Sequence, residues 1–124
     1  TIIPGTLQGG GPLAIVALGN GAVVETAVHR DSLPSGAQVE IGLRPESVRV
    51  TRNGDATTSG AVELVERLGE RSLVYARLKD GAAVTAEDEG VSTLKVGDEV
   101  GLRIDGGAAH LFGPDGTGYH RPAA

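Results

Sequence analysis

Three histidines and a run of carboxylates are the side chains of this 124-residue chain that could carry chemistry. His29, His110 and His120 lack partners at the spacing of a metal-binding pair, and the chain has no cysteine, so we expect no metal site. An acid and a base in the run 87–89 would need apolar surroundings to separate their pKa values. The run precedes Gly90 and is typical of a solvated loop.

Motifs for covalent catalysis and for nucleotide binding are missing from the sequence. No serine lies in the Gly-x-Ser-x-Gly pattern that exposes a nucleophile at a strand-to-helix turn. No glycine is followed by lysine, so the phosphate-binding loop Gly-x-x-x-x-Gly-Lys-[Ser/Thr] cannot form. The sequence therefore predicts a chain that is not an enzyme and needs no cofactor.

The charge of the chain argues against nucleic acid as a partner. Sixteen carboxylates outnumber eleven cationic side chains, the net charge is −5, and the arginines and lysines are scattered singly. Two tyrosines and one phenylalanine are too few to form a platform on which bases stack. No apolar run approaches the roughly 20 residues of a membrane span, and no secretion signal is seen, so we expect a soluble chain.

Composition points to an all-β fold. The chain has 20 Gly and 6 Pro, and its longest glycine-free stretch runs only from Ala22 to Ser35, which excludes an all-helical protein. The apolar residues are dominated by 14 Val and 12 Leu, and valine favours strands. Alternating or short apolar runs predict strands at Leu13–Leu18, Ala22–Ala27, Gln38–Arg44, Ala61–Leu68, Ser72–Lys79, Ala82–Glu87, Asp98–Ile104 and Ala109–Phe112.

The turns between these strands are also visible in the sequence. Asn20-Gly21 and Asp80-Gly81 each lie between two apolar segments and predict tight hairpins. The imperfect alternation of 61–68 predicts a bulge near Val65. The only helical turn that we expect, at most two turns long, lies between Ala22 and Leu33, because Asp31-Ser32 is typical of a loop start and Pro34 stops any continuation.

The two hairpins lie 60 residues apart, which reveals a tandem repeat. A shift of 60 pairs Leu13 with Leu73, Leu18 with Leu78, Asn20 with Asp80, Gly21 with Gly81, Ala22 with Ala82 and Val24 with Val84. A shift of 61 pairs Gly36 with Gly97, Val39 with Val100, Ile41 with Leu102 and Val50 with Leu111.

Each copy of the repeat reads as a small barrel of the oligonucleotide/oligosaccharide-binding (OB) type, because closure removes exposed strand edges. We therefore predict an all-β fold of two tandem OB-like barrels packed into one compact body. The predicted organisation is a first barrel copy at 1–52, a linker loop at 53–60, a second barrel copy at 61–117 and a tail at 118–124.

Four motifs in order resemble a known family. They are the Gly-Leu-Arg-Pro-Glu string within 39–48, the strand at 60–69, Leu-Lys-Val-Gly-Asp-Glu-Val at 94–100 and His-Leu-Phe-Gly-Pro-Asp-Gly at 110–116. Together they resemble the C-terminal regulatory, transport-associated region of ATP-binding subunits of maltose-type sugar ABC importers. The resemblance extends over most of the chain, from about residue 13 to 116.

The resemblance implies a non-catalytic regulatory and dimerisation module that lacks the nucleotide-binding domain. Its implied partners are a second copy of the ATPase subunit, the membrane subunits reached through the missing ATPase domain, and a regulatory protein. The implied location is the cytoplasm, at the periphery of the inner membrane. The transported sugar cannot be read from this chain.

Three stretches depart from simple barrel filling and are our candidate contact residues. The candidates are Arg44, Pro45, Glu46, Glu66, Gly69, Glu70, His110, Phe112 and Asp115. Pro45 fixes its own φ and keeps Arg44 extended, which predicts a rigid corner that either orients an intersubunit salt bridge or pairs Arg44 with Glu46. For Phe112 we favour a plug at one barrel end over a ligand-stacking role.

An alternative is a free-standing small-ligand module. Related paired barrels bind oxyanions such as molybdate through backbone N–H groups and hydroxyls. The groups that could line such a site here are Thr57, Thr58, Ser59 with Gly60, or Ser92 with Thr93.

Overall fold

The computed structural model describes residues 1–8, 11–19, 21–33, 38–52, 54–113 and 116–119. Within these ranges the chain forms strands β1 Ile2–Leu7, β2 Leu13–Leu18, β3 Val23–His29, β4 Gln38–Gly42, β5 Val48–Thr51, β6 Thr58–Arg67, β7 Arg71–Leu78, β8 Ala83–Glu89, β9 Glu99–Ile104, β10 His110–Phe112 and β11 Gly118–Tyr119. Three single 3₁₀ turns occur at Arg30–Ser32, Pro45–Ser47 and Gly106–Ala108.

The all-β prediction is confirmed, and the strands form two lobes. Five strands close a barrel in the order β5-β8-β7-β6-β9. The other six form a sheet in the order β11-β10-β4-β1-β2-β3, which is a half-barrel. No described helix is long and apolar enough to cross a membrane.

The two lobes exchange their last strands. β5 follows β4 in the chain but pairs with β8 and β9 of the closed barrel. β10 follows β9 but pairs with β4 of the half-barrel. Sheet membership therefore crosses the predicted linker at 53–60, where β6 already begins at Thr58.

The registers of the two lobes repeat with the shifts seen in the sequence. Val50 on β5 pairs with Leu102 on β9, and the equivalent positions Leu111 and Ile41 pair between β10 and β4. All four side chains contribute to one hydrophobic core, Val50 from a half-buried position. The repeat thus folds into two related lobes that share their packing.

The hairpin predicted at Asp80-Gly81 is present, and Gly21 shows the same geometry in the first hairpin, whose Asn20 lies outside the described residues. In the second one Gly81 has a φ of 90°, its N–H donates to the Leu78 carbonyl at 3.0 Å, and the Leu78 N–H donates to Ala82 at 2.8 Å. Gly21 has a φ of 89° and repeats this pattern in the first hairpin. Each is a tight turn followed by a left-handed glycine, a conformation in which glycine carries no Cβ penalty.

Alternation along the strands builds the core. The half-barrel buries Ile3, Val16 and Ile41 completely, and the closed barrel does the same with Val74 and Leu102. Each such side chain contributes roughly 1.5–3 kcal/mol relative to an exposed one. The buried residues of both lobes form one continuous cluster, as expected for one compact body.

Three local predictions need correction. The run 87–89 is not a solvated loop: it forms the end of β8, and Glu87 and Asp88 are buried. The bulge in β6 lies at Glu63 and not near Val65, because the pairing with β7 shifts between Val62 and Leu64. The helical turn at Arg30–Ser32 is present, but it is not the only one, since the chain also turns before β5 and before β10.

Candidate functional site

The predicted corner at Arg44 is where the chain passes from one lobe to the other. Arg44 is extended, with φ −84° and ψ 154°, as expected for a residue before proline. Pro45 then opens the 3₁₀ turn that leads from β4 of the half-barrel into β5 of the closed barrel. The strand ends before this corner, as the sequence predicted.

A groove runs along this corner, and we name it the Arg49 groove. It is lined by residues of the corner, of β5 and of the segment that leads into β10, namely Arg44, Glu46, Ser47, Arg49, Asp105, Ala108, Ala109 and His110. The fold thus brings together Arg44, Glu46 and His110, which come from different copies of the repeat. These three were candidates from sequence.

The guanidinium groups of the groove are available for contacts with another molecule. Arg44 and Arg49 are both exposed, and within the described part of the chain neither side chain has a hydrogen-bonded or ion-paired partner. Two carboxylates, Glu46 and Asp105, line the same groove, and Asp105 accepts a hydrogen bond from the Gly107 N–H at 3.1 Å. Arginine in this setting suits planar, bidentate pairing with a carboxylate of a partner.

Arg49 is the member of the groove that sequence reasoning missed. It lies on β5 after the fully buried Val48, so its side chain points out of the barrel. Its backbone neighbours are Glu87 on β8 and Arg103 on β9. Alternation of apolar and charged residues was the available signal, but a four-residue strand is too short for it to stand out.

The second candidate stretch lies beside a separate cleft that Arg49 also lines. Glu70 lines a cleft together with Arg49, Arg71 and Glu87. Gly69, with a φ of 93°, forms the two-residue turn between β6 and β7. Arg49 therefore borders both the groove and this cleft.

Glu66 does not line that cleft. Its Oε1 accepts a hydrogen bond of 2.6 Å from the hydroxyl of Tyr75 on the neighbouring strand β7. This hydrogen bond to a carboxylate raises the pKa of Tyr75, because it favours the protonated phenol.

Phe112, in the last candidate stretch, packs against glycines of the half-barrel. Its ring lies over Gly42, where a Cβ atom would come within 2.7 Å of Cε2, and against Gly118. On β10 the neighbouring Leu111 is fully buried whereas Phe112 is half-buried, and the role of Phe112 as a plug at a barrel end stays a prediction. Asp115 lies outside the described residues.

Two ion pairs border the line where β5 meets β8. Arg52 donates to both carboxylate oxygens of Asp88, at 3.2 and 2.9 Å, and this bonding lowers the pKa of Asp88 and raises that of Arg52. Arg71 approaches Oε2 of Glu87 at 3.4 Å, an ion-pair distance without hydrogen-bond geometry. Glu87 Oε2 is buried and has no hydrogen-bond partner within the described residues.

Two of the hydroxyls considered for an oxyanion site, those of Thr57 and Ser92, are engaged within the fold. Thr57 Oγ1 accepts from the Ile104 N–H at 2.9 Å, and Ser92 Oγ accepts from the Leu94 N–H at 3.2 Å. Among the residues that the structure describes, no three His, Cys, Asp or Glu side chains form a group suited to a metal ion.

Comparison with known proteins agrees with this arrangement. The family model described as the TOBE domain matches residues 41–112. The chain is 33% identical over 119 residues to the alpha-glucoside transport ATP-binding protein AglK of Rhizobium meliloti (strain 1021), covering 95% of this chain and 33% of that protein. It is 30% identical over 103 residues to the maltose/maltodextrin import ATP-binding protein MalK of Aliivibrio fischeri (strain ATCC 700601 / ES114), covering 82% and 28%.

The chain spans about a third of the length of these curated relatives. Among solved structures, it resembles the molybdate-bound crystal structure of the cytoplasmic molybdate-binding protein ModG, with a TM-score of 0.68. That match covers 90% of this chain and 94% of the other at 20% identity. At this identity the likeness supports the fold.

Proposed function

This chain belongs to the TOBE domain family, and we propose that it is the C-terminal, non-catalytic contact module of the ATP-binding subunit of a sugar ABC importer. The similarity to import ATP-binding proteins over most of the chain supports this assignment. The Arg49 groove, with its two unpaired guanidinium groups, is the observation that carries the contact role.

The module's role in this proposal is regulation and dimerisation of the subunit. Its partners are a second copy of the subunit, a regulatory protein, and the membrane subunits, which it reaches through the ATPase domain. A mixed-charge groove at the joint between two lobes suits such protein partners, because its arginines can pair with carboxylates without desolvating a large apolar area. The proposed location is the cytoplasmic side of the inner membrane.

The test is to substitute the two arginines in the full-length subunit. Arg44→Ala and Arg49→Ala remove cations that form no ion pair and no side-chain hydrogen bond within the described chain. The isolated 124-residue chain should therefore unfold at an unchanged temperature. Subunit association, measured by sedimentation, should weaken about tenfold for each lost charged contact. Transport or its regulation should change in parallel.

Lys95→Ala is the matched control, because it removes an exposed cation that does not line the groove. Unchanged association and transport in the double arginine variant would overturn the proposal. Loss of folding of the isolated chain, with no separate effect on transport, would leave these arginines a structural role alone.

A further inference from the structure

The closed barrel has very little backbone pairing between β5 and β8, the two strands that meet along one line of the barrel. β5 makes four residue pairs with β9, but within the described residues it makes a single parallel pair with β8, between Arg49 and Glu87. The bidentate bridge from Arg52 to Asp88 spans the same line immediately after β5. We name this line the β5–β8 seam.

The half-barrel contains the equivalent seam without the bridge. By the repeat, β10 corresponds to β5 and β3 corresponds to β8, but within the described residues these two strands are not paired, and the other edge of β10 pairs with β11 instead. The repeat places Gly113 at the position of Arg52. The bulge between Leu13 and Ile15 sets His29 opposite Leu13, as Glu87 lies opposite Leu73, so the residue at the position of Asp88 is Arg30. Glycine and arginine cannot form an ion pair, so this line of the half-barrel lacks the bridge.

We propose that the β5–β8 seam is a latch held shut by the Arg52–Asp88 pair. When the pair is lost, β8 separates from β5 while β5 stays on β9, and the barrel opens along this line. The four residue pairs with β9 keep β5 in place during this opening. The half-barrel shows that the repeated motif packs its core without this strand pair when another strand, β11, covers the edge.

The burial of Glu87 favours a small free-energy difference between the two arrangements. This residue is only 9% exposed, and its Oε2 has no hydrogen-bond partner within the described residues. A buried carboxylate oxygen without a hydrogen bond is unfavourable. Opening the seam lets water reach this oxygen, which offsets part of the loss of the single backbone pair.

The latch would regulate the site of the proposed function, and in that respect it rests on that proposal. β5 carries Arg49, which lines the groove beside the corner at Arg44. Arg49 also lines the clefts that contain Glu87. Opening the seam therefore removes one neighbour of Arg49 and changes the surface that a partner meets.

Amide hydrogen exchange of the 124-residue chain tests the latch without reference to transport. Arg52→Gln and Asp88→Asn should each accelerate exchange of residues 48–52 by about tenfold, which corresponds to ~1.4 kcal/mol of opening free energy. The double variant should add little, because the two side chains act as one pair. Amides of β6 and β7 should keep their wild-type protection.

Arg77→Gln is the matched control, since it breaks an ion pair with Glu63 on the same barrel away from the seam. It should leave exchange at residues 48–52 unchanged. Unchanged exchange at β5 in the Asp88→Asn variant, or equal acceleration in every strand, would overturn the latch.

A crosslink across the seam keeps the idea testable if a single variant folds poorly. The chain has no cysteine, and paired residues on neighbouring strands lie within reach of a disulfide. In the oxidised Arg49→Cys/Glu87→Cys protein, Asp88→Asn should no longer accelerate amide exchange at residues 48–52. Acceleration that persists in the crosslinked protein contradicts the latch.

The latch and the contact role can fail separately. If exchange at β5 responds as expected while the Arg44→Ala subunit transports normally, the latch stands and the proposed function falls. If transport changes in that subunit while amide exchange at β5 is the same in the Arg52→Gln and Asp88→Asn variants as in wild type, the proposed function stands and the latch falls.

Discussion

Gly19 and Asp80 belong to equivalent turns of the two lobes and touch each other. A Cβ atom built on Gly19 would lie 2.6 Å from Oδ2 and 3.0 Å from Cβ of Asp80. The two hairpin tips therefore pack together, and glycine at this position is required by space.

Gly19→Ala should lower the free energy of unfolding by ~1–3 kcal/mol, because the added methyl group overlaps Asp80. Asp80 cannot turn away freely, since its Oδ1 accepts the Ala82 N–H at 3.1 Å. Urea denaturation measures the change. In an Asp80→Gly background the same substitution should cost much less; an equal cost in both backgrounds would show that this contact is not the cause.

Asp88 should make stability depend on pH in the acid range. Arg52, and secondarily Ser92, lower its folded pKa, so its stabilisation is present above the ordinary value of 3.8 and is lost as pH falls through the folded pKa. At neutral pH, Asp88→Asn should be less stable than wild type by ~1–3 kcal/mol. Below pH ~4 the difference should shrink.

Denaturation of both proteins across this pH range checks the prediction, and Arg52→Gln should show the same narrowing. A stability difference that stays constant down to the lowest pH would mean that the carboxylate charge of Asp88 is not what stabilises the barrel.

Tyr75 should lose its proton only at a pH above the ordinary value of 10.0, because Glu66 accepts its hydroxyl proton. Ultraviolet difference absorbance follows this step well in a chain with two tyrosines and no tryptophan. Glu66→Gln removes the negative charge and should lower the pKa of Tyr75. Tyr75→Phe assigns the signal, and identical titrations of wild type and Glu66→Gln would contradict the contact.

Gly42→Ala should destabilise the half-barrel, because its methyl group would meet the ring of Phe112 at 2.7 Å. We expect a loss of ~1–3 kcal/mol in thermal unfolding experiments. Phe112→Leu removes the ring and should relieve part of the cost. If Gly42→Ala lowers the free energy of unfolding equally in the wild-type and Phe112→Leu proteins, the ring of Phe112 is not the cause of the loss.

Strong local patterns made most of the strands predictable. The strand at Leu13–Leu18 has the predicted bounds, and both glycine turns lie where their residue types required them. β1 was missed because Pro4 and Gly5 disfavour strands in general. Pro4 is tolerated because β2 pairs with β1 only from Gly5 onward, which leaves Pro4 bonded on one side.

The exchange of last strands was beyond sequence reasoning for a different reason. The repeat shows that β5 and β10 are equivalent, but either pairing buries the same side chains, so hydrophobic pattern cannot choose between them. Arg44, Glu46 and His110 were found because their motif was distinctive. Their convergence on Arg49 depends on the exchange, and so it could be seen only in three dimensions.

The exchange of β5 and β10 also determines which part of the chain can form a complete sheet. A chain cut after Arg52 would give two fragments, each lacking a strand that the other supplies. In this arrangement each fragment alone leaves its sheet one strand short, whereas a mixture of the two can rebuild the whole by complementation. A single copy would have to fold its own last strand back onto its own sheet, so the duplication and the strand exchange depend on each other in this fold.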